Sequence, residues 1–247
     1  MRRLRNLMTG RSRLRYLIWR ARSSRKPIVV TLKTKGKLIL RQGAAGDLGI
    51  AYEVFVAEAY KLPEGLKARQ VRRIVDVGAN VGYTCVYWLT NFPKAQVTAF
   101  EPHPAHVDLI RAHLEINRWG NKVVLHPAAA GAQDGRTFLT DDGGHSSTTS
   151  EARPNTIAVP QVDWFACVGD EPIDILKMDI EGGEYELLSD ERFASLRIGT
   201  IVMEWHTSDE HPGGAEWCLS RLRSLGYSTT VSSSIRDERG VIWAFRQ

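Results

Sequence analysis

Ile74-Val75-Asp76-Val77-Gly78-Ala79-Asn80-Val81-Gly82-Tyr83 is the stretch that decides the fold. An apolar β-branched run, an acid and two glycines four apart lead into the helix-like Tyr83-Thr84-Cys85-Val86-Tyr87-Trp88-Leu89, which describes a buried strand turning sharply into a helix. Such turns hold nucleotides in α/β proteins. Glycine lets the backbone pass close to a ligand, and a helix start offers free N–H groups and the positive end of a dipole. Asn80 stands where a Gly-x-Gly-x-x-Gly turn has its second glycine, so a smaller nucleotide without a diphosphate is favoured.

Ala95-Gln96-Val97-Thr98-Ala99-Phe100-Glu101-Pro102 reads as the next strand, and it ends in an acid 25 positions after Asp76. A carboxylate at that tip, roughly 20 residues on, is placed to accept hydrogen bonds from both hydroxyls of a ribose. Asp76, Gly78, Asn80, Gly82 and Glu101 together resemble the cofactor site of class I S-adenosylmethionine (SAM) methyltransferases.

Outward from this centre the chain alternates strands and helices, as a parallel sheet covered on both faces requires. A helix is expected over residues 104–117, entered through Glu101-Pro102-His103-Pro104, then a third strand at Val123-Val124-Leu125. Asp141-Asp142-Gly143-Gly144-His145-Ser146-Ser147-Thr148-Thr149-Ser150 and Arg153-Pro154 are too polar for a core and read as a loop able to close over a ligand. Ile173-Asp174-Ile175-Leu176-Lys177-Met178-Asp179-Ile180-Glu181-Gly182-Gly183-Glu184 is a strand running into carboxylates and glycines, so Asp179 and Glu181 should share the crevice with Gly78. Thr200 to His206 is a further buried strand. A helix over 214–225 and strands over 227–231 and 241–245 would finish the sheet with an antiparallel end.

Before this domain, residues 27–70 read as a cap: a hairpin of Ile28 to Leu32 and Lys37 to Leu40, then a helix from Gly49 to Tyr60. Its Tyr52, Phe55 and Tyr60 are candidates for the core or for a substrate cleft. Residues 1–26 read as a basic tail, and 71–247 as the nucleotide-binding domain.

The net charge of +5 hides an asymmetry. Fourteen Lys and Arg and no acid precede Asp47, so residues 47–247 hold 19 bases against 28 acids, a net −9. The acidic body weakens a nucleic-acid reading. Leu4, Leu7, Met8, Leu14, Leu17 and Ile18 lie among the arginines at mostly helical spacing. The tail is therefore expected either to lie on an anionic membrane surface or to be solvated. Arginine-rich, acid-free starts also resemble organellar transit peptides. No apolar run approaches the ~18 residues of a spanning helix, and no signal-peptide core is visible. Cys85, Cys167 and Cys218 are few and scattered, which suits a reducing compartment; the expected location is cytoplasmic, peripheral to a membrane if the tail binds one.

Asp76 to Gly82, Phe100-Glu101-Pro102, Leu176 to Glu184 and Met203-Glu204-Trp205-His206, in this order, resemble the FkbM family of SAM-dependent methyltransferases over about residues 47–206. Trp205 and Gly183 are mild departures, and the basic tail lies outside the family pattern. The resemblance implies a Rossmann-like fold with a mostly parallel seven-stranded sheet, helices on both faces and an N-terminal hairpin and helix cap. It implies SAM as cofactor, with Asp76, Gly78, Ala79, Asn80 and Gly82 at its methionine part, Glu101 and Pro102 at the ribose, and Asp179 and Glu181 facing the methyl group. It further implies transfer to a hydroxyl of a sugar, glycan or polyketide-type product. Asp179 is the first candidate base and His206 the second, since an imidazole titrates near neutral pH. Asp179, Glu181, His206 and His211 also offer ligand atoms to a divalent ion, but no spacing is diagnostic and no metal is assigned. Competing readings are a nucleic-acid methyltransferase, disfavoured by the acids around Asp179, and a non-catalytic membrane-surface protein, which leaves the converging motifs unexplained.

Overall fold

The computed structural model describes residues 2–22, 26–42, 47–63, 71–140, 148–149, 155–207, 213–235 and 239–246. In chain order the elements are α1 (Arg2–Leu7), α2 (Gly10–Ala21), β1 (Ile28–Thr31), β2 (Lys37–Leu40), α3 (Asp47–Tyr52), β3 (Arg73–Val77), α4 (Tyr83–Asn91), β4 (Gln96–Phe100), α5 (Pro104–Asn117) and β5 (Val123–His126). There follow β6 (Ala129–Gly131), β7 (Gly135–Thr140), β8 (Thr148–Thr149), β9 (Thr156–Asp163), α6 (Trp164–Val168), β10 (Ile173–Met178), α7 (Glu184–Ser189), α8 (Glu191–Ser195), β11 (Ile198–His206), α9 (Gly214–Ser224), β12 (Tyr227–Ile235) and β13 (Arg239–Arg246).

The central sheet has the order β12-β13-β11-β10-β3-β4-β5. β5, β4, β3, β10 and β11 run parallel, and β13 lies antiparallel between β11 and β12. The expected mostly parallel, Rossmann-like sheet with an antiparallel end is what the chain adopts. Strand alternation splits the interior into two layers. Ile74, Val97, Ala99, Ile175 and Val202 face one apolar cluster with α4, α5 and the cap; Val75, Val77, Phe100, Leu176, Ile201 and Met203 face another with α6 to α9. β3 has β4 on one side and β10 on the other, so the sheet reverses its winding there and leaves a crevice beyond the strand ends.

The basic N-terminal stretch is folded onto the cap. α2 packs on β1, Ser12 Oγ accepts the Thr31 N–H at 2.9 Å, and Leu4, Met8, Tyr16 and Trp19 join the cap's apolar cluster. The hairpin forms as read from the sequence, with Ile28 opposite Leu40. His113 Nε2 accepts the Ile39 N–H at 2.9 Å while Tyr83 Oη donates to the Ile39 carbonyl at 2.9 Å, which ties the cap to α4 and α5. Burial lowers the His113 pKa to about 4, so the ring is neutral and free to accept that bond. The helix expected to reach Tyr60 ends sooner. α3 passes into one π turn, Glu53–Ala57, and Glu58 at φ +53° stops it, so that Tyr60 is released toward the sheet.

The largest difference from the sequence reading lies between β5 and β10. There β6, β7, β8 and β9 form a second sheet in the order β6-β9-β7-β8 where a single polar loop was expected. β9, Thr-Ile-Ala-Val-Pro-Gln-Val-Asp, has only Val159 fully buried, so its strand pattern is nearly invisible in hydrophobicity. Thr148 and Thr149 pair with β7, and the remainder of the expected loop, 141–147 and 150–154, lies outside the described residues.

Gly78 shows how tightly the crevice is built. It sits at φ +82°, and a Cβ there would come 1.9 Å from the carbonyl oxygen of Asp179. Adding left-handed strain to a backbone clash, Gly78→Ala should cost about 2–5 kcal/mol in urea unfolding. An unchanged midpoint would mean that the two strand ends are not packed this closely.

Candidate active site

At the end of β3 the backbone is fastened to the end of β4. Gly78 and Ala79 N–H groups both donate to the Phe100 carbonyl at 3.0 Å, and Asn80 N–H donates to Glu101 Oε2 at 2.7 Å. Val81 N–H donates to Asn80 Oδ1 at 2.8 Å and Gly82 N–H to the Ala79 carbonyl at 2.9 Å. The N–H groups of 78–82 expected to greet a ligand are therefore occupied within the protein, which removes this turn as a phosphate cradle. Glu101 Oε1 accepts the His103 N–H at 2.8 Å and lies 3.4 Å from His106 Nδ1. An ionised carboxylate has about four acceptor positions, so capacity for a diol remains.

Beneath the turn lies a buried lysine that the sequence reading assigned no part. Lys177 and Asp76 are opposite one another in β10 and β3, so their side chains project from the same face of the sheet. Lys177 Nζ is 3.4 Å from Asp76 Oδ1, 3.6 Å from Asp179 Oδ2 and 3.4 Å from the Val77 carbonyl, and also donates to the Gly78 carbonyl. Burial works against its charge, but Asp76 and Asp179 outweigh burial and raise its pKa. Neither Asp76 oxygen accepts a hydrogen bond among the described residues, which leaves Lys177 as the charge that compensates this buried carboxylate. Tyr60 Oη donates to Asp179 Oδ2 at 3.3 Å, and its ring lies 5.7 Å from Lys177 Nζ. Burial, then the Asp179 charge, pushes the Tyr60 phenol well above its ordinary pKa, so it remains a donor.

The turn after β10 is held by a second buried glutamate. Glu184 accepts the N–H groups of Ile180 at 3.0 Å and Gly182 at 2.8 Å, and lies 3.2 Å from His206 Nδ1. The other ring nitrogen, Nε2, is 3.3 Å from Glu181 and 3.8 Å from Glu204. Burial disfavours the charged ring, but the Glu184 hydrogen bond and charge, then Glu181 and Asp179, prevail and raise the His206 pKa to about 9. At neutral pH the ring is an imidazolium, which has no lone pair for a proton. His206, the second candidate base of the sequence reading, is thus placed between two glutamates. Asp179, Glu181 and His206 bring ligand atoms within 4.8 Å of one another, and a divalent ion there would have to displace the ring proton of His206. His211 lies outside the described residues.

A cleft of about 780 Å³, open to solvent, joins these parts. Gly78, Asn80, Glu101, Pro102, Asp179 and Glu181, all named as site candidates from the sequence, line it. Asp76, Ala79, Gly82 and His206 are buried and absent from its lining, so they act by shaping the wall. The sequence reading missed Phe100, His106, Ala128, Leu139 and Gln161. Leu139 and Gln161 come from the second sheet, and no local signal marks them. With Asp76, Glu101, Asp179, Glu181, Glu184 and Glu204 set against Lys177 and His206, the crevice favours a cationic ligand over a polyphosphate.

The sequence pattern described as the methyltransferase FkbM domain matches residues 76–229. The chain belongs to this family. FkbM-family relatives include 31-O-demethyl-FK506 methyltransferase FkbM of Streptomyces tacrolimicus, 25% identical over 240 residues, covering 83% of this chain and 91% of the relative. Methyltransferase sdnD of Sordaria araneosa is also 25% identical, over 177 residues, covering 56% of this chain and 68% of its own. Among solved structures, a putative transferase from Pyrococcus horikoshii has a TM-score of 0.53 at 12% identity over 91% of this chain and 74% of that one, which shows the fold alone. Methyltransferase FkbM from Methylobacillus flagellatus KT gives 0.49 at 14% identity over 71% of this chain, which in turn spans 44% of that protein.

The protein is thus a methyltransferase of the FkbM family, and its cofactor is SAM. The residues fit it: Glu101 keeps acceptor capacity for a ribose diol, and the excess of carboxylates suits a sulfonium. When bound, SAM supplies an electrophilic methyl group.

Two stability measurements test this charge arrangement. Lys177→Met leaves Asp76 buried and unpaired and should cost about 3–5 kcal/mol, much of it regained in Lys177→Met/Asp76→Asn. A neutral single variant would show that the pair does not hold the sheet. For His206 the folded pKa, about 9, lies above the ordinary 6.5, so the imidazolium stabilises the fold fully below pH 6.5. That contribution, on the order of 3 kcal/mol, disappears as pH rises through 9. Urea midpoints of the protein should fall over this window, and those of His206→Gln should stay flat; equal slopes would refute the assignment.

Proposed function

We propose that the protein transfers the methyl group of SAM to a hydroxyl oxygen of a sugar, glycan or polyketide-type small molecule, with Asp179 as base. The observation that carries this reading is the position of Asp179: it follows β10 at the switch of the sheet, lines the cleft that Glu101 also lines, and has a partly exposed carboxylate. Tyr60 and Lys177 hold Oδ2 from the protein side and fix its orientation. Oδ1 can then accept the proton that the acceptor hydroxyl sheds as its oxygen attacks the methyl carbon in line with sulfur. His206 works beside it as a cation, holding Glu181 and Glu184 in place while Asp179 takes the proton. The name of the 31-O-demethyl-FK506 relative supports oxygen as the acceptor atom. The carboxylates around the cleft mouth disfavour a nucleic-acid backbone.

Asp179→Asn keeps shape and loses basicity. It should lower turnover by about 10²- to 10⁴-fold while leaving SAM affinity nearly unchanged in calorimetry. Equal losses in both would move Asp179 to cofactor binding. Glu101→Gln retains one acceptor oxygen for the His103 or Asn80 N–H but loses the charge-assisted diol bonds. SAM affinity should then fall at least about tenfold. An undiminished affinity in the folded variant would remove Glu101 from the ribose site.

A further inference from the structure

We propose that the outward face of α2 docks on an anionic phospholipid bilayer. The helix has two opposed apolar faces. Ser12, Tyr16 and Trp19, spaced four and three apart, are buried against the cap, with Trp19 Nε1 donating to the Lys26 carbonyl at 2.7 Å. On the opposite side Leu14, Leu17 and Ile18 are 61%, 41% and 44% exposed. At about 100° per residue these three share one stripe, flanked by Arg11, Arg15 and Arg22 on one margin and Arg13 and Arg20 on the other. All five arginines are exposed.

The same sequence segment therefore divides its apolar residues. Leu4 and Met8 serve the core, and Leu14, Leu17 and Ile18 stay outside it. Aliphatic side chains bordered on both sides by guanidinium groups suit a bilayer interface. The stripe enters the acyl boundary and the arginines reach back to phosphate headgroups. With no acid before Asp47, the segment offers no counter-charge to a second copy of itself, so two such faces would set arginine against arginine. A nucleic acid would satisfy the arginines and leave the leucines without a partner.

The test is sedimentation of the full chain with vesicles of phosphatidylcholine alone or mixed with phosphatidylglycerol. Binding is expected only to the mixed vesicles and should weaken with salt. Leu14→Ser/Leu17→Ser/Ile18→Ser should lower the apparent affinity at least about tenfold. Arg13→Gln and Arg20→Gln should each lower it about fivefold at low salt. Circular dichroism and thermal midpoints should not move, because these side chains touch no core. The proposal is overturned if the protein does not sediment with mixed vesicles at low salt, or if the triple serine variant binds them as well as the parent. It is equally overturned if the lipid-free protein is a dimer that the triple variant dissolves, or if duplex RNA binds more tightly and is indifferent to the serines.

Discussion

A fully buried ammonium at the switch of the sheet is the constraint on which the site depends. β3 and β10 meet with Asp76 opposite Lys177, and both side chains are buried. An acid there without a cation would be costly, and a cation without carbonyls and acids around it equally so. The cluster fixes the ends of both strands, because Lys177 also binds the carbonyls of Val77 and Gly78 where the chain leaves β3. Gly78 can then press against Asp179, and Asp179 is held at the cleft. Strand register thereby becomes the placement of a carboxylate at the cleft.

Two glutamates extend the same logic to the loops. Glu101 gathers the N–H groups of Asn80 and His103, and Glu184 those of Ile180 and Gly182. Each carboxylate ties down a turn that would otherwise carry unsatisfied donors at the edge of the cleft. Ordering the loops with acids also charges the cleft. His206 offsets part of that charge by remaining protonated, and the negative charge left over favours a positively charged ligand. Loop rigidity and ligand preference share one cause.

Much of this was legible in sequence because the strongest signals are local. The Gly78 turn, Glu101 at the next strand tip and Asp179 after the apolar run each sit where strand order predicts, and α5 begins at Pro104 and ends at Asn117 as read. What escaped the sequence depends on contacts between distant segments. Lys177 was visible as a charge inside Ile-Leu-Lys-Met, which already demands a partner, yet only the β3–β10 register identifies it as Asp76. The His206 charge depends on three carboxylates from the turn after β10 and was unreadable from its own strand. The β6 to β9 sheet hid because β9, which pairs with both β6 and β7, is mostly exposed or half exposed and has Pro160 within it.

The cap is part of the site for the same reason. Its hairpin is fixed through both backbone groups of Ile39, and the left-handed turn at Glu58 brings Tyr60 over Lys177 and onto Asp179. The Tyr60 ring also lies 6.1 Å from that of Trp88, tilted against it, on α4, the helix that follows the Gly78 turn. One apolar cluster takes in Trp19 of α2, Val30, Leu38, Tyr60 and Trp88. A packed interior transmits displacement instead of absorbing it. The N-terminal helices, lying outside the matched residues 76–229, thus share one apolar cluster with Tyr60, whose hydroxyl holds Asp179.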